Sequence, residues 1–211
     1  MPLRFRILVA LIFALSAAPA FGTVALTEPE LRAYHTSGDY ANDLATADAE
    51  ALAYIKAYAG DAAKPALVLD IDETALSNMP LIVANNYAGN SGMPAWQAKA
   101  KDEAIAPTLD IFRAAQAKGM AVFFITGRDE SLREATEKNL KAAGYSGWKE
   151  LIMRPAGSST PSAADYKAPQ RARIEGMGYT IIACIGDQAS DLAGGHALRS
   201  FQLPNPFYFI P

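Results

Sequence analysis

Two aspartates separated by one residue, Asp70 and Asp72, follow an apolar segment and are the first candidates for chemistry. The segment Leu67–Leu69 before them is continuously apolar, which is typical of a parallel strand that helices cover on both faces. Ligands bind at the carboxyl ends of such strands. Two carboxylates about 4 Å apart repel by roughly 4 kcal/mol at an effective dielectric near 20, so the pair must hold a proton or recruit a cation. Oxygen ligands suit a hard ion such as Mg²⁺. Taken alone, the pattern is also open to a helix N-cap or a solvated turn.

Polar residues also follow or flank the other apolar segments, and parallel strands would bring them to the same edge of the sheet. These residues are Thr126, Gly127, Lys167, Asp187 and Asp191. Considered one by one, each has an ordinary alternative: a turn, a solvated charge or a helix cap. Together, those alternatives would require every polar strand end to be accidental. The joint pattern therefore predicts one active site.

Apolar segments alternate with helical patterns along the chain, which predicts a three-layer α/β sandwich with a parallel, Rossmann-like sheet and right-handed crossovers. An N-terminal helical hairpin precedes the sheet, and no large cap insertion is visible between the first two strands. The predicted strands are 67–69, 120–125, 151–153, 180–185 and 200–203. A short first helix is predicted to end near residue 35. Five further helices are predicted at 39–59, 96–104, 107–118, 130–143 and 166–178, the last with Pro169 in its first turn. Loops are predicted at 79–94 and 157–164, and an extended tail from Leu203 onward.

Composition restricts the class of protein. With 211 residues, 51% of them hydrophobic, the chain can bury one substantial core, so we expect one domain. The formal net charge is −3 and no Lys/Arg cluster lies beyond residue 6, which argues against a nucleic-acid polymer as partner. Cys184 is the single cysteine, so an internal disulfide is excluded. Its apolar surroundings predict a buried residue rather than a reactive thiol.

The N-terminus has the pattern of a secretory signal. Arg4 and Arg6 precede nine apolar residues, Ile7–Leu15, which are too few to span a bilayer. Small residues near Ala20 and Gly22 then offer a cleavage site. We predict a cleaved signal peptide at residues 1–22 and an exported, soluble protein, periplasmic or extracellular, with no membrane attachment after cleavage. Residues 23–211 would form one domain, with a helical hairpin at 23–62 and an α/β core at 63–211.

Four short motifs in this order resemble those of the haloacid dehalogenase superfamily of phosphohydrolases. They are DIDET, ITGR, a lysine after the third strand, and GDQASD. More narrowly, LVLDIDETALSN, the segment from YKAPQ to GDQASDLAG and the ending FQLPNPFYFIP resemble bacterial class C acid phosphatases and the plant acid phosphatase and vegetative storage protein group. The resemblance covers nearly the whole mature chain. This chain lacks the lipid-attachment cysteine of many class C enzymes.

The resemblance implies roles for the acidic residues. Asp70 would be the nucleophile that forms an aspartyl-phosphate. Asp72 would be the general acid for the leaving alcohol, and activity should therefore be highest in acid. Mg²⁺ would be bound by the Asp70 side chain, the Asp72 carbonyl and Asp187.

The same resemblance implies a phosphoryl-binding set. Lys167 would stabilise the negative charge of the transferred group, and Thr126 with the Gly127 amide would bind a phosphoryl oxygen. Asp191 would support Lys167 or a metal-bound water rather than bind the metal directly.

Three functions are compatible with these residues. The first is an exported, Mg²⁺-dependent acid phosphatase acting on small phosphomonoesters, with nucleotides as one open class. A non-enzymatic storage or binding protein of the same fold is the second, although storage requires neither Asp70 nor Asp72. The third is dehalogenase or phosphotransferase chemistry on the same scaffold. A dehalogenase does not need Mg²⁺, which Asp72 and Asp187 suit, whereas phosphotransfer to an alcohol acceptor stays open. A homo-oligomer is left open.

Overall fold

A computed structural model describes residues 26–157 and 162–210. The predicted signal peptide, residues 1–22, lies outside the described residues, as do positions 158–161 of the predicted loop. None of the helices in the described parts combines the length and the apolar character that a membrane crossing requires.

A five-stranded parallel sheet forms the centre of the domain, with strand order β5-β4-β1-β6-β7. The strands in the described residues are β1 (Pro65–Leu69), β2 (Leu76–Ser77), β3 (Glu103–Ala104), β4 (Ala121–Asp129), β5 (Glu150–Arg154), β6 (Thr180–Gly186) and β7 (Arg199–Gln202). The two-residue strands β2 and β3 pair antiparallel outside the main sheet. At the end of β1, Leu69 lies beside Phe124 of β4 and Ile185 of β6. The residues that follow these three strands therefore emerge side by side.

Helices connect the strands and cover both faces of the sheet. Those in the described residues are α1 (Glu28–Thr36), α2 (Asp39–Ala57), α3 (Met79–Ala84), α4 (Met93–Gln97), α5 (Ala106–Ala117), α6 (Arg133–Ala142), α7 (Ala163–Gly176) and α8 (Ala189–Leu192), with a 3₁₀ turn at Glu130–Leu132. The predicted N-terminal hairpin is formed by α1 and α2, which Gly38 joins with a φ of 91°. Between β1 and β4, where the description is continuous, the chain forms α3, α4, the β2–β3 pair and α5, without a separate cap domain.

Strand alternation divides the core into two apolar layers, because successive side chains of a strand point to opposite faces. Leu67 and Leu69 belong to the layer that contains Ile55 of α2 and Phe112 of α5. Val68 belongs to the layer that contains Ile125, Ile174 of α7 and the buried Cys184. The predicted three-layer α/β sandwich and the buried cysteine are both confirmed.

The loop predicted at 79–94 contains the helix α3, which Pro80 helps to start, and the first residues of α4. Two helix predictions are also wrong in detail. The helix expected at 96–104 is instead the short α4, which ends at Gln97. Asn139 of α6 accepts a hydrogen bond from the Asp102 amide at 2.9 Å, and this tertiary contact directs the chain into β3. The last long helix begins earlier than expected, because Ser162 caps it by accepting a bond from Asp165 N at 3.1 Å. Pro169 therefore lies in the interior of α7 rather than in its first turn.

Candidate active site

A cavity of about 400 Å³ opens at the carboxyl ends of β1, β4 and β6, a volume typical of small-ligand sites. Its walls come from the loops after these strands, from α4 and its preceding loop, and from the C-terminal tail. The predicted residues that line it are Asp70, Asp72, Gly127, Lys167, Asp187 and Asp191. Residues that are far apart in the sequence thus meet around one space.

The turn after β1 directs Asp70 and Asp72 to different parts of this cavity. The Asp70 amide still donates to Ile185 O at 3.0 Å, so its backbone continues the pairing with β6. The chain then turns sharply, and the Leu76 amide donates back to Ile71 O at 2.8 Å. Glu73 in this turn has a φ of 50°, a left-handed conformation that is uncommon for a residue with a side chain.

Lys167 joins two of the aspartates through direct ion pairs. Its Nζ lies 2.5 Å from Asp70 Oδ1 and 2.6 Å from Asp191 Oδ1, and all three side chains are buried. Burial disfavours the ammonium, yet the two carboxylates outweigh this effect and raise the pKa of Lys167. Lys167 is therefore a permanent positive charge at the base of the cavity.

Asp191 can approach Lys167 because the residue beside its carboxylate, Gly186, leaves room for it. Gly186 has no side chain, and a Cβ at that position would lie 2.4 Å from Asp191 Oδ2. The same oxygen accepts a hydrogen bond from the Gln188 amide at 3.0 Å. Arg171, buried beneath, donates to the main-chain oxygens of Asp191, Ala193 and Gly195. The loop after β6 is thus fixed from both sides.

Carboxylate oxygens of Asp70, Asp187 and Asp191 lie within 4.8 Å of one another. Burial raises the pKa of Asp70 to about 7, although the Lys167 ammonium acts in the opposite direction. Burial, reinforced by the charges of Asp70 and Asp191, raises the pKa of Asp187 well above its ordinary value. Three buried carboxylates with a single ammonium carry excess negative charge, which a divalent cation with oxygen ligands would compensate. The donor set therefore fits Mg²⁺.

Asp72 lies in different surroundings. Its Oδ1 accepts hydrogen bonds from Arg128 Nη2 at 2.7 Å, Asn78 Nδ2 at 2.7 Å and Gln97 Nε2 at 3.1 Å. Its Oδ2 accepts from Arg128 Nε at 3.1 Å. Burial disfavours the carboxylate, but the charge of Arg128 and these hydrogen bonds outweigh it and lower the pKa of Asp72.

Thr126 and Gly127 end the regular part of β4. The register with β5 shifts between Thr126 and Asp129, and such irregularities re-aim side chains. Gly127 lines the cavity, whereas Thr126 is fully buried behind it and accepts a bond from the Arg128 amide at 3.1 Å. Arg128 itself points inward and also reaches Asp102 Oδ2 at 3.4 Å.

The site contains residues that sequence reasoning did not assign. Arg128 is part of the ITGR motif, but as a single basic residue it was equally compatible with the surface. Asn78, Gln97 and Asn205 gave no sequence signal that distinguishes them from ordinary polar residues. Gln97 and Asn205 contact the aspartates because separate segments converge, whereas Asn78 lies in the same turn as Asp72.

A family model described as the HAD superfamily, subfamily IIIB (acid phosphatase), matches residues 17–211. A stem 28 kDa glycoprotein of Glycine max is 38% identical over 154 residues, which are 70% of this chain and 61% of that protein. Acid phosphatase 1 of Solanum lycopersicum is 34% identical over 156 residues, 72% of this chain and 61% of that protein. Vegetative storage protein 1 of Arabidopsis thaliana is 33% identical over 183 residues, 83% of this chain and 67% of that protein. The chain thus spans less than two thirds of the soybean and tomato proteins.

Among solved structures, the class C acid phosphatase from Bacillus anthracis superimposes with a TM-score of 0.71. The match covers 88% of this chain and 87% of that one at 23% sequence identity. At this level of identity the likeness concerns the fold, and it agrees with the parallel α/β architecture described above.

Proposed function

Since the chain belongs to subfamily IIIB of the HAD superfamily, the acid phosphatases, we propose that it hydrolyses small phosphomonoesters in acid with the help of Mg²⁺. The observation that carries this proposal is the buried cluster of Asp70, Lys167, Asp187 and Asp191 at the base of one cavity. Such a cluster combines a nucleophile, a fixed positive charge and oxygen ligands.

Asp70 is the proposed nucleophile. Its carboxylate oxygen attacks the phosphorus, the bond from phosphorus to the ester oxygen breaks, and an aspartyl-phosphate forms while the alcohol leaves. Water then attacks this intermediate, inorganic phosphate departs, and the Asp70 carboxylate is restored. The buried position of Asp70, next to Lys167 at 2.5 Å, supports this role because the lysine offsets the repulsion between carboxylate and phosphate.

Asp72 is the proposed proton carrier. It gives its proton to the leaving alcohol and later takes one from the attacking water. Oδ1 accepts bonds from three residues, whereas the described residues supply Oδ2 with Arg128 Nε alone, so Oδ2 is the better oxygen to exchange a proton. Although Asp72 is buried, the Arg128 pair keeps its pKa low, and a protonated Asp72 is common only in acid. This supports the acidic preference.

Lys167 and the Gly127 amide are proposed to bind the phosphoryl oxygens. Lys167 is the described cation that contacts the nucleophile directly, and Gly127 lines the cavity at the end of β4. Thr126 is buried beside Gly127, and its hydroxyl oxygen accepts a hydrogen bond from the Arg128 amide. Its hydroxyl hydrogen would donate to a phosphoryl oxygen. Asp191 orients Lys167 through their ion pair at 2.6 Å.

Asp70, Asp187 and the Asp72 carbonyl are the groups proposed to hold Mg²⁺. When bound, the ion would neutralise the phosphate charge that opposes attack by a carboxylate. Burial first, and then the neighbouring carboxylates, raise the pKa values of Asp70 and Asp187, and a bound cation would offset both effects. This supports the assignment.

Small esters fit the size and lining of the cavity. Its outer wall includes apolar side chains that could contact the alcohol part of the substrate: Met93, Pro94, Leu132, Tyr208 and Ile210. A volume of about 400 Å³ accommodates a phosphate with a modest organic group, nucleotides among them.

A storage or binding protein is the competing proposal, because vegetative storage proteins of Arabidopsis thaliana are among the relatives. Phosphotransfer to an added alcohol is another outcome of the same aspartyl-phosphate. The retained carboxylates and the ion pair at Asp70 favour catalysis over storage.

The test is a phosphate-release assay with a chromogenic phosphate ester between pH 4 and pH 9, with Mg²⁺ and with a chelator. We expect turnover that is highest in acid, disappears with the chelator and returns with added Mg²⁺. A panel of nucleotides and sugar phosphates then identifies the preferred alcohol. An added alcohol acceptor tests phosphotransfer. A folded protein without turnover under any of these conditions would support storage or binding instead.

Export is proposed from the sequence alone, from the signal pattern at residues 1–22. Expression of the full chain in a bacterium with fractionation, followed by sequencing of the mature N-terminus, tests it. Cleavage near Ala20 or Gly22 and recovery outside the cytoplasm are expected.

A further inference from the structure

The C-terminal tail, residues 203–210, is built into the wall of the active site. The sequence predicted only an extended segment there. In the structure, the Leu203 amide donates to Gly186 O at 2.9 Å, so the tail continues directly from the sheet edge toward the loop after β6. Leu203 and Phe207 are buried, and Tyr208 and Ile210 line the cavity.

Asn205 of this tail contacts a residue of the carboxylate cluster. Its Nδ2 donates to Asp187 Oδ2 at 2.6 Å, and its Oδ1 accepts from the Phe207 amide at 3.0 Å. The second bond fixes the amide orientation, so the donor side faces Asp187. Gln188 Nε2 donates to the same Oδ2 at 2.6 Å. Both donors that the described residues supply thus occupy Oδ2, and Oδ1 is the oxygen available to a cation.

Tyr208 reaches the other aspartate through a chain of hydrogen bonds. Its hydroxyl donates to Glu73 Oε2 at 2.8 Å, and Glu73 is fully buried. Glu73 Oε2 also accepts from Asn78 Nδ2 at 3.1 Å, and that same nitrogen donates to Asp72 Oδ1 at 2.7 Å. The tail is therefore connected with the turn that carries Asp72.

Packing holds the tail in this position. The ring of Phe207 lies among aromatic rings of the N-terminal hairpin and the loop after α3, with centroid distances of 5.0 Å to Tyr40 and 6.0 Å to Tyr87. Gln188 Oε1 accepts a bond from the Ile210 amide at 3.0 Å. An extended segment that is anchored at both ends can fix the side chains between them at low entropic cost.

We infer that Asn205 and Tyr208 are positioning residues of the active site: Asn205 orients Asp187 for the cation, and Tyr208 orients the turn of Asp72. This inference rests on the proposed phosphatase function and extends it to the tail, to which the sequence analysis assigned no site residue. Groups that orient a metal ligand typically change affinity or activity by about 10-fold to 100-fold when they are removed.

The test uses three full-length variants. Asn205→Ser keeps a hydroxyl that can accept from the Phe207 amide but is too short to reach Asp187. Tyr208→Phe removes only the hydroxyl. Phe209→Ala, at a side chain that is 73% exposed on the same tail, is the matched control. Binding of Mg²⁺ is followed by the rise in melting temperature during an Mg²⁺ titration, and kcat and KM are measured at saturating Mg²⁺.

We expect Asn205→Ser to need about 10-fold more Mg²⁺ for half of the thermal shift. Tyr208→Phe should lose about 10-fold in kcat with unchanged Mg²⁺ binding, and Phe209→Ala should match the wild type. Should Asn205→Ser lose its cooperative melting, Asn205→Thr, which also keeps an accepting hydroxyl, replaces it in the Mg²⁺ titration, and Tyr208→Phe still decides the role of Tyr208. Wild-type behaviour of the first two variants, or an equal loss in Phe209→Ala, would overturn the inference. A wild type that neither binds Mg²⁺ nor releases phosphate would refute the proposed function, and this inference with it.

Discussion

Asp70 and Asp72 are separated by one residue, but the two sides of the cavity in which they lie differ in how their charges are balanced. On the carboxylate side, Asp70, Asp187 and Asp191 share one ammonium, that of Lys167. Burial raises the pKa of Asp70 to about 7 and that of Asp187 well above its usual range. A bound proton or a further cation would balance the charge on this side.

On the arginine side, Asp72 has its own cation and neutral donors. Arg128 binds it with two nitrogens, and Asn78 and Gln97 add hydrogen bonds. Although burial opposes ionisation, these partners lower the pKa of Asp72. A guanidinium that binds a carboxylate with two donors also fixes its orientation.

One short motif thus supplies two distinct chemical environments. The carboxylate side suits covalent attack and cation binding, whereas the arginine side suits controlled proton transfer. A pair of aspartates in sequence would suggest mutual repulsion, but the structure relieves the repulsion differently on each side.

Asp70→Asn tests the carboxylate side most directly. An amide of the same shape cannot act as the nucleophile, so we expect turnover to fall by at least about 10³-fold. Lys167 keeps its partner Asp191, so the fold should persist. Phosphate release and a thermal melt measure the two properties on the same sample. Turnover within about 10-fold of the wild type would show that this side does not supply the nucleophile.

Asp187→Asn tests the cation requirement of the same side. Loss of a charged ligand should raise the Mg²⁺ concentration for half-maximal activity by at least about 100-fold, the upper limit for loss of a merely supporting contact. Because protons compete with the ion for carboxylates with raised pKa values, the wild type should also need more Mg²⁺ as the pH falls. Mg²⁺ titrations at pH 5 and pH 7 check both statements. Equal Mg²⁺ requirements in variant and wild type would place the cation elsewhere.

Arg128→Lys tests the arginine side. A lysine keeps the charge but loses the two-nitrogen contact with Asp72. Because one charged hydrogen bond is lost, we expect kcat/KM to fall by about 10-fold. Weaker stabilisation of the carboxylate raises the pKa of Asp72, so its protonated form persists to higher pH. The alkaline limb of the pH–rate profile should therefore shift to higher pH. An unmoved limb would mean that Asp72 is not the group that titrates there, and Lys101→Arg, at an exposed lysine outside the cavity, is the control.

Asp48→Asn tests whether a buried carboxylate outside the cavity affects stability without affecting turnover. Asp48 of α2 is buried and accepts bonds from Thr108 of α5 at 3.1 and 3.2 Å, and neither residue lines the cavity. Burial raises its pKa to about 7, with the Thr108 bond acting in the opposite direction. The folded state therefore binds a proton that the unfolded state releases between pH 4 and pH 7, and stability falls as the pH rises through this range.

The free energy of unfolding of the wild type, measured with urea, should therefore fall by roughly 3 kcal/mol between pH 5 and pH 8 because of this group. Asp48→Asn should reduce this loss while leaving kcat unchanged. An unaltered pH dependence of the unfolding free energy in the variant would show that Asp48 ionises freely in the folded protein. A change in kcat would contradict its separation from the active site.

Much of the fold and the motif residues could be predicted because they depend on local patterns. The apolar segments around Val68 and Phe123 alternate with helical patterns, which predicted buried strands of a parallel sheet. The layer that each side chain enters was known only from the structure. Asp70, Lys167 and Asp187 followed from their places at strand and helix ends. Helix boundaries such as that of α4 were predicted poorly, because a contact from Asn139 overrode local preference.

The amino-acid sequence alone predicts a parallel α/β domain and the acidic, basic and small residues that a phosphoryl-transfer site requires. The charge pairs depend on the fold: Lys167 with Asp70 and Asp191, Arg128 with Asp72, and Asn205 with Asp187. They could not be predicted because burial and pairing arise from segments that are distant in the chain. The intrinsic chemistry of a carboxylate is the same wherever it lies in the chain. Its surroundings determine whether it binds a proton, a metal ion or an arginine side chain.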